Sequence, residues 1–113
     1  MDHVSSGAVE FAEPVEGVQL ALLAAGERMS VQRFRIEPGA TVPEHSHPHE
    51  QVGYLVRGEL TFQIDGDKVL VAGGDSYSLA SEEPHAVENQ SDRVVEGIDV
   101  FSPPRTDPDW AKD

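Results

Sequence analysis

Cysteine is absent from the 113 residues, which excludes a disulfide framework and any thiolate metal site. Lysine is nearly absent too. Lys68 and Lys112 stand with six arginines against 21 acidic side chains, for a formal net charge of −13. That balance excludes nucleic acid as a partner, because affinity for a phosphate backbone depends on neutralising it with Lys and Arg. Long polyanions are repelled as well, so an anionic substrate has to be small and met by a local cation. No apolar run approaches the ~20 residues of a membrane span. The opening Met-Asp-His-Val-Ser-Ser has neither the basic nor the apolar stretch of a signal peptide. A soluble cytoplasmic protein with no membrane partner is expected. The acidic, lysine-poor balance suits a salt-adapted organism and an ordinary acidic protein equally.

Helical periodicity and internal repeats are also missing. What the chain has instead is a succession of short alternating runs cut by glycine and proline. Residues 17–26 are rich in Leu and Ala, which favour helix, but Val18, Leu20 and Leu22 alternate within a short glycine-bounded run, and a strand is expected. A second strand is expected over 29–37, with Met29, Val31, Phe34 and Ile36 on its apolar side and one slip in the alternation. Further strands are expected over 52–57, 60–64 and 68–71. Asp65-Gly66 between the last two is a hairpin signal, because glycine tolerates the positive φ of a tight turn. A final strand over 93–101 is stopped by Pro103-Pro104, which cannot donate to a ladder. Many short strands and frequent turns predict an all-β barrel or sandwich. The chain 1–113 is expected to be a single domain, with a frayed N-terminus over 1–9 and a short acidic tail over 106–113. A core this small would gain from a homodimer formed by sheet packing.

The chemistry concentrates between Gly39 and Gly58, where the order is His45-x-His47-x3-Gln51. Side chains two apart share a face of an extended strand, so His45 and His47 can converge, and Gln51 can join them if the chain stays extended past Pro48. Two imidazoles on one face make half of a divalent-metal site. A later stretch, Gly74-Asp75 followed by Pro84-His85-x3-Asn89, offers another. His49 is expected behind these groups or on the pocket wall, and Glu50, of opposite parity, is expected to stay out. His3 is expected to be solvated. Asp99 is a separate anomaly: a carboxylate in a strand otherwise fit for burial, with Arg105 able to fold back towards it. A structural ion pair and a solvent-facing Asp99 both remain open.

These two stretches resemble the paired motifs of the cupin superfamily, G-x5-H-x-H-x3/4-E-x6-G and G-x5-P-x-G-x2-H-x3-N. Gln51 stands where the first has Glu, and Ala80 and Glu82 replace the internal Pro and Gly of the second. The fold this implies is a small jelly-roll barrel with a metal site at its mouth. The strings His-Ser-His-Pro-His-Glu-Gln (45–51), Gly-Asp-Ser-Tyr (74–77), Pro-His (84–85) and Asp-Val-Phe-Ser-Pro-Pro-Arg (99–105) are similar to the uronate-linearising, KdgF-type cupins of pectin and alginate breakdown. The resemblance implies ring opening of 4,5-unsaturated monouronates, small anionic sugars, to 5-keto-4-deoxyuronate. It implies His45, His47, Gln51 and His85 as ligands of one divalent transition metal (Ni, Zn, Fe, Mn or Co), and Asp99, Phe101 and Arg105 as the catalytic group. With a neutral amide at 51, the donors leave the metal charge uncompensated, which favours polarisation over oxygen chemistry. A cupin dioxygenase using Fe(II) and a non-catalytic binder of small acids or sugars are the alternatives.

Overall fold

The computed structural model describes residues 1–106, so of the expected tail only Thr106 is among the described residues. Ten strands follow one another: β1 (Ala12–Val15), β2 (Val18–Ala25), β3 (Ser30–Ile36), β4 (Thr41–His45), β5 (Glu50–Arg57), β6 (Glu59–Ile64), β7 (Asp67–Ala72), β8 (Ser76–Leu79), β9 (His85–Glu88) and β10 (Val95–Ser102). They form a six-stranded sheet, β1-β2-β3-β10-β5-β8, and a four-stranded sheet, β4-β9-β6-β7, with every pairing antiparallel. This is the all-β jelly-roll arrangement expected from the sequence. Residues 1–9 contain only a short 3-10 turn, Ser6–Ala8. No helix among the described residues is long and apolar enough to cross a membrane.

Alternation builds the core. Val18, Phe34, Ile36, Leu55, Leu79 and Val95 point inward from the larger sheet and meet Leu60, Phe62 and Val71 from the smaller. Leu55 and Val95 are fully buried, and complete burial of such a side chain contributes about 1.5–3 kcal/mol. The outer face carries charge instead, where Arg57 Nε meets Glu96 Oε2 at 2.8 Å, with Arg33 and Arg35 nearby. The Asp65-Gly66 turn joins β6 to β7 with φ of 51° and 82°, as its sequence predicts.

Two expectations need correction. The inward side of β3 carries Ser30, Gln32, Phe34 and Ile36 in strict alternation, so there is no slip. Val31 lies on the other side and Met29, which precedes the strand, is exposed. The apolar residues at 29 and 31 imitated an inward pattern whose true members at 30 and 32 are polar. The expected strand over 93–101 begins two residues later, at Val95, and β1 carries too little alternation over Ala12–Val15 to be seen in the sequence.

Candidate metal centre and catalytic pocket

The histidines do not share one strand. β4 ends at His45, residues 46–49 bend away, and β5 begins at Glu50 in the other sheet. The parity expected of an extended chain past Pro48 is therefore not what brings the group together. His45 and His85 are opposite each other across the β4–β9 ladder, with ring centroids 4.3 Å apart. Gln51 projects inward from β5, and His47 belongs to the bend between the sheets. One nitrogen from each of His45, His47 and His85 lies within 4.8 Å of the others.

Hydrogen bonds settle which nitrogen that is. Nδ1 of His45, His47 and His85 lies 2.9 Å from the carbonyls of Pro43, His49 and Glu83 respectively. A carbonyl only accepts, so each Nδ1 carries the proton, and each neutral ring keeps its lone pair on Nε2. Burial holds the His47 and His85 pKa below the ordinary value, which favours that neutral form. His47 Nε2 is 3.0 Å from Gln51 Oε1. With the His47 proton already on Nδ1, that contact sets two lone pairs against each other unless a cation sits beside them or the ring gains a second proton. Three imidazole nitrogens within 4.8 Å of one another, with an amide oxygen 3.0 Å from one of them, fit a divalent transition metal.

The loop that presents His85 keeps its shape despite the two departures from the motif. Glu82 adopts φ 66°, the left-handed conformation for which the motif uses glycine. Its N–H donates to the His47 carbonyl at 2.7 Å, and the Ser81 hydroxyl donates to the Pro48 carbonyl at 2.6 Å. The loop thus clamps the bend that carries His47. Asn89, completely buried, donates to the carbonyls of Ile36 and Arg93 and accepts from Ser91. It is a latch between strand ends, away from the histidines.

Beside the histidines is a cavity of about 360 Å³ whose wall includes His45, Gln51, His85, Asp99, Phe101 and Arg105. His47 meets this group through its ring, 5.2 Å from that of His85 and 5.7 Å from that of Phe101. Asp99 faces inward and is buried, which removes the solvent-facing alternative. Tyr77 donates its hydroxyl to Asp99 Oδ1 at 2.6 Å, and the Gln51 amide also bonds the carboxylate. Burial pushes the Asp99 pKa up to about 6, against the lowering effect of those two hydrogen bonds and of Arg105. Burial likewise raises the Tyr77 pKa, and the Asp99 charge adds to it. Arg105 folds back after β10: its N–H donates to Ser30 Oγ at 2.8 Å, and its guanidinium carbon lies 5.1 Å from the centroid of the Phe101 ring. His49 packs on His47 and Phe101 and bonds the Pro104 carbonyl. Glu50 is exposed, as expected from its parity.

Tyr77 was not singled out by the sequence, although it closes the Gly-Asp-Ser-Tyr string. Gly53 is what admits it. Gly53 is the register partner of both Tyr77 in β8 and Asp99 in β10, and a Cβ there would collide with the Tyr77 ring. The ring crosses the bare backbone of β5 to reach Asp99.

A fold of two antiparallel sheets with a histidine cluster at the cavity defines a class, and the cupin domain family matches residues 32–101. The chain belongs to the cupin family. Within it the chain is KdgF-like: it is 28% identical over 93 residues to the pectin degradation protein KdgF of Dickeya dadantii, covering 81% of this chain and 84% of that protein. The structure of KdgF from Halomonas sp. superposes with a TM-score of 0.85 over 95% of this chain and 97% of that one, at 23% identity, a likeness of fold. An RmlC-like cupin from Shewanella frigidimarina superposes with a TM-score of 0.83 at 27% identity, over 95% of this chain and 96% of that one.

Proposed function

We propose that the protein is a metal-dependent enzyme that opens the ring of 4,5-unsaturated monouronates to 5-keto-4-deoxyuronate, in the breakdown of pectin or alginate. The observation that carries this reading is Asp99, a buried carboxylate bonded to Gln51 and Tyr77 on the wall of the cavity that also holds the histidines and Arg105. The likeness to KdgF supports it.

The closed substrate has a hemiacetal at C1, a C4=C5 double bond beside the ring oxygen, and a carboxylate. Opening takes the proton from the C1 hydroxyl, forms the C1 carbonyl and breaks the bond from C1 to the ring oxygen. The electrons pass to the C5 enolate, and protonation at C4 leaves the C5 ketone. One proton leaves O1 and one arrives at C4, so a single acid–base group serves both steps. Asp99, with a pKa near 6, is ionised enough at neutral pH to take the proton and close enough to neutrality to return it. Hydrogen bonds from Tyr77 and Gln51 hold the carboxylate in place. Arg105 binds the substrate carboxylate through its planar fork, and Phe101 supports both the guanidinium and the sugar ring. A divalent metal held by His45, His47, His85 and Gln51 would supply Lewis-acid stabilisation of oxygen-borne negative charge.

The test is to incubate metal-loaded protein with unsaturated monouronate and follow loss of the C4=C5 absorbance and dissolved oxygen, against a control without protein. Faster loss at constant oxygen is expected. Oxygen uptake would point to the dioxygenase, and no acceleration on any unsaturated uronate would leave a binder of small acids.

A further inference from the structure

Gln32 is an amide in a position that strand alternation reserves for an apolar side chain. It faces inward from β3, between Ser30 and Phe34, and only 4% of it is exposed. Its Oε1 is buried with no hydrogen-bond partner, the residue forms part of the cavity wall, and a half-turn of the terminal amide exchanges its oxygen with its nitrogen. It is the direct register partner of Asp99 across the β3–β10 ladder. The neighbouring polar groups are engaged: Ser30 Oγ accepts from the Arg105 N–H, the Tyr77 hydroxyl donates to Asp99, and the Gln51 amide lies between His47 and Asp99.

A buried acceptor without a donor weakens the fold, because it loses its water and gains nothing in return. Such a group makes sense where a ligand brings the donor. On the proposed function the ligand is a sugar acid, and the donors it offers are its neutral ring hydroxyls. Neighbouring strands lie about 4.8 Å apart, which lets the Gln32 amide and the Asp99 carboxylate reach oxygens on neighbouring carbons of one small ring. Phe34 and Phe62, in the same wall, suit the faces of that ring.

We propose that Gln32 is a substrate-binding residue whose Oε1 accepts a hydrogen bond from a ring hydroxyl of the sugar acid, next to the position facing Asp99. The residue thereby selects hydroxylated sugar acids over deoxygenated ones. The identity of the sugar acid rests on the proposed function; the orphaned acceptor does not.

The test combines stability and selectivity. Gln32→Met keeps length and removes the acceptor. Metal-free Gln32→Met is expected to melt a few degrees above wild type, since the unsatisfied group is gone, whereas a structural role for the amide predicts a lower melting temperature. Metal content should stay the same. KM for the unsaturated monouronate should rise about tenfold, the weight of one neutral hydrogen bond, with kcat changed less. On wild-type protein, the 2-deoxy or the 3-deoxy unsaturated uronate should lose about the same factor, and Gln32→Met should no longer distinguish it from the parent. The deoxy comparison on wild type needs no variant. A destabilised Gln32→Met, or an unchanged KM with both substrate ratios intact, overturns the proposal; the second outcome means that no substrate hydroxyl reaches the amide. Calorimetric binding of a saturated uronate and its deoxy analogues repeats the comparison without turnover. Selective binding that depends on Gln32 without ring opening would overturn the reaction and keep the role of Gln32. Ring opening with no dependence on Gln32 would do the reverse.

Discussion

Asp99→Asn should yield a protein that is more stable and inactive, and the size of the first effect follows from burial. Burial pushes the carboxyl pKa up to about 6 in the folded chain, from an ordinary value of 3.8. The folded state therefore holds the proton on the order of a hundredfold more tightly than the unfolded one, equivalent to about 3 kcal/mol. The sign follows from the direction of the shift. An acid with a raised folded pKa contributes stability below about pH 4 that is lost as pH rises through 6. Asparagine cannot ionise and keeps it. His47 and His85 act the other way: their pKa values are lowered by burial, so their contribution is present above pH 6.5 and lost as pH falls. Subtracting the wild-type curve from the variant curve cancels the histidines. Urea unfolding of chelator-treated protein from pH 4 to 7 should give a stability difference that grows by about 2.5 kcal/mol in favour of Asn. Metal-loaded Asp99→Asn should lose about 10²–10⁴ in ring-opening rate. A difference that stays flat with pH would refute the burial argument, and a rate within tenfold of wild type would refute Asp99 as the proton carrier.

His45→Ala, His47→Ala and His85→Ala should each empty the metal site, and Gln51→Ala should weaken it less, because an amide oxygen is the poorest donor of the four; full occupancy by elemental analysis in all three histidine variants would refute the site. Arg105→Ala should raise KM for the unsaturated uronate, and Arg105→Lys should recover charge but not the bidentate fork, so equal KM for Arg105→Lys and wild type would count against the clamp. Sedimentation is expected to give a homodimer, since the core is small and Val52, Tyr54 and Val56 stand exposed on the outer side of β5; a monomer at micromolar concentration contradicts this. With a net charge of −13, melting temperature should rise with salt as self-repulsion is screened, and a flat dependence would remove the salt-adaptation reading.

Much of the architecture was legible in the sequence because a strand with one buried face imposes a period of two, and because turns need particular residues. The Asp65-Gly66 hairpin and the strands around Val18, Leu55 and Leu60 were readable on those terms. The histidine pair and His85 were readable as a candidate metal site because few side chains ligate a metal, and Asp99 stood out as a carboxylate in an otherwise apolar strand. Where polar residues occupy inward positions, the same rule misleads. Ser30 and Gln32 look like the outer side of β3, and only the sheet places them in the cavity.

Tertiary structure alone decided how the site is assembled. Residue spacing suggested that one extended strand would align His45, His47 and Gln51. In the fold His45 and Gln51 belong to different sheets, and the bend at 46–49 carries His47 between them. Which histidine nitrogen faces inward depends on backbone carbonyls two residues away, and for His47 and His85 the loop at Glu82 braces the segments that present them. The fate of Asp99 depends on Tyr77, 22 residues earlier, reaching over Gly53 on the strand between them. Alternation and turn chemistry are local properties that a sequence carries by itself. Burial, register across strands and the partner of a buried polar atom depend on residues distant in the chain, and exist only once the sheets have packed.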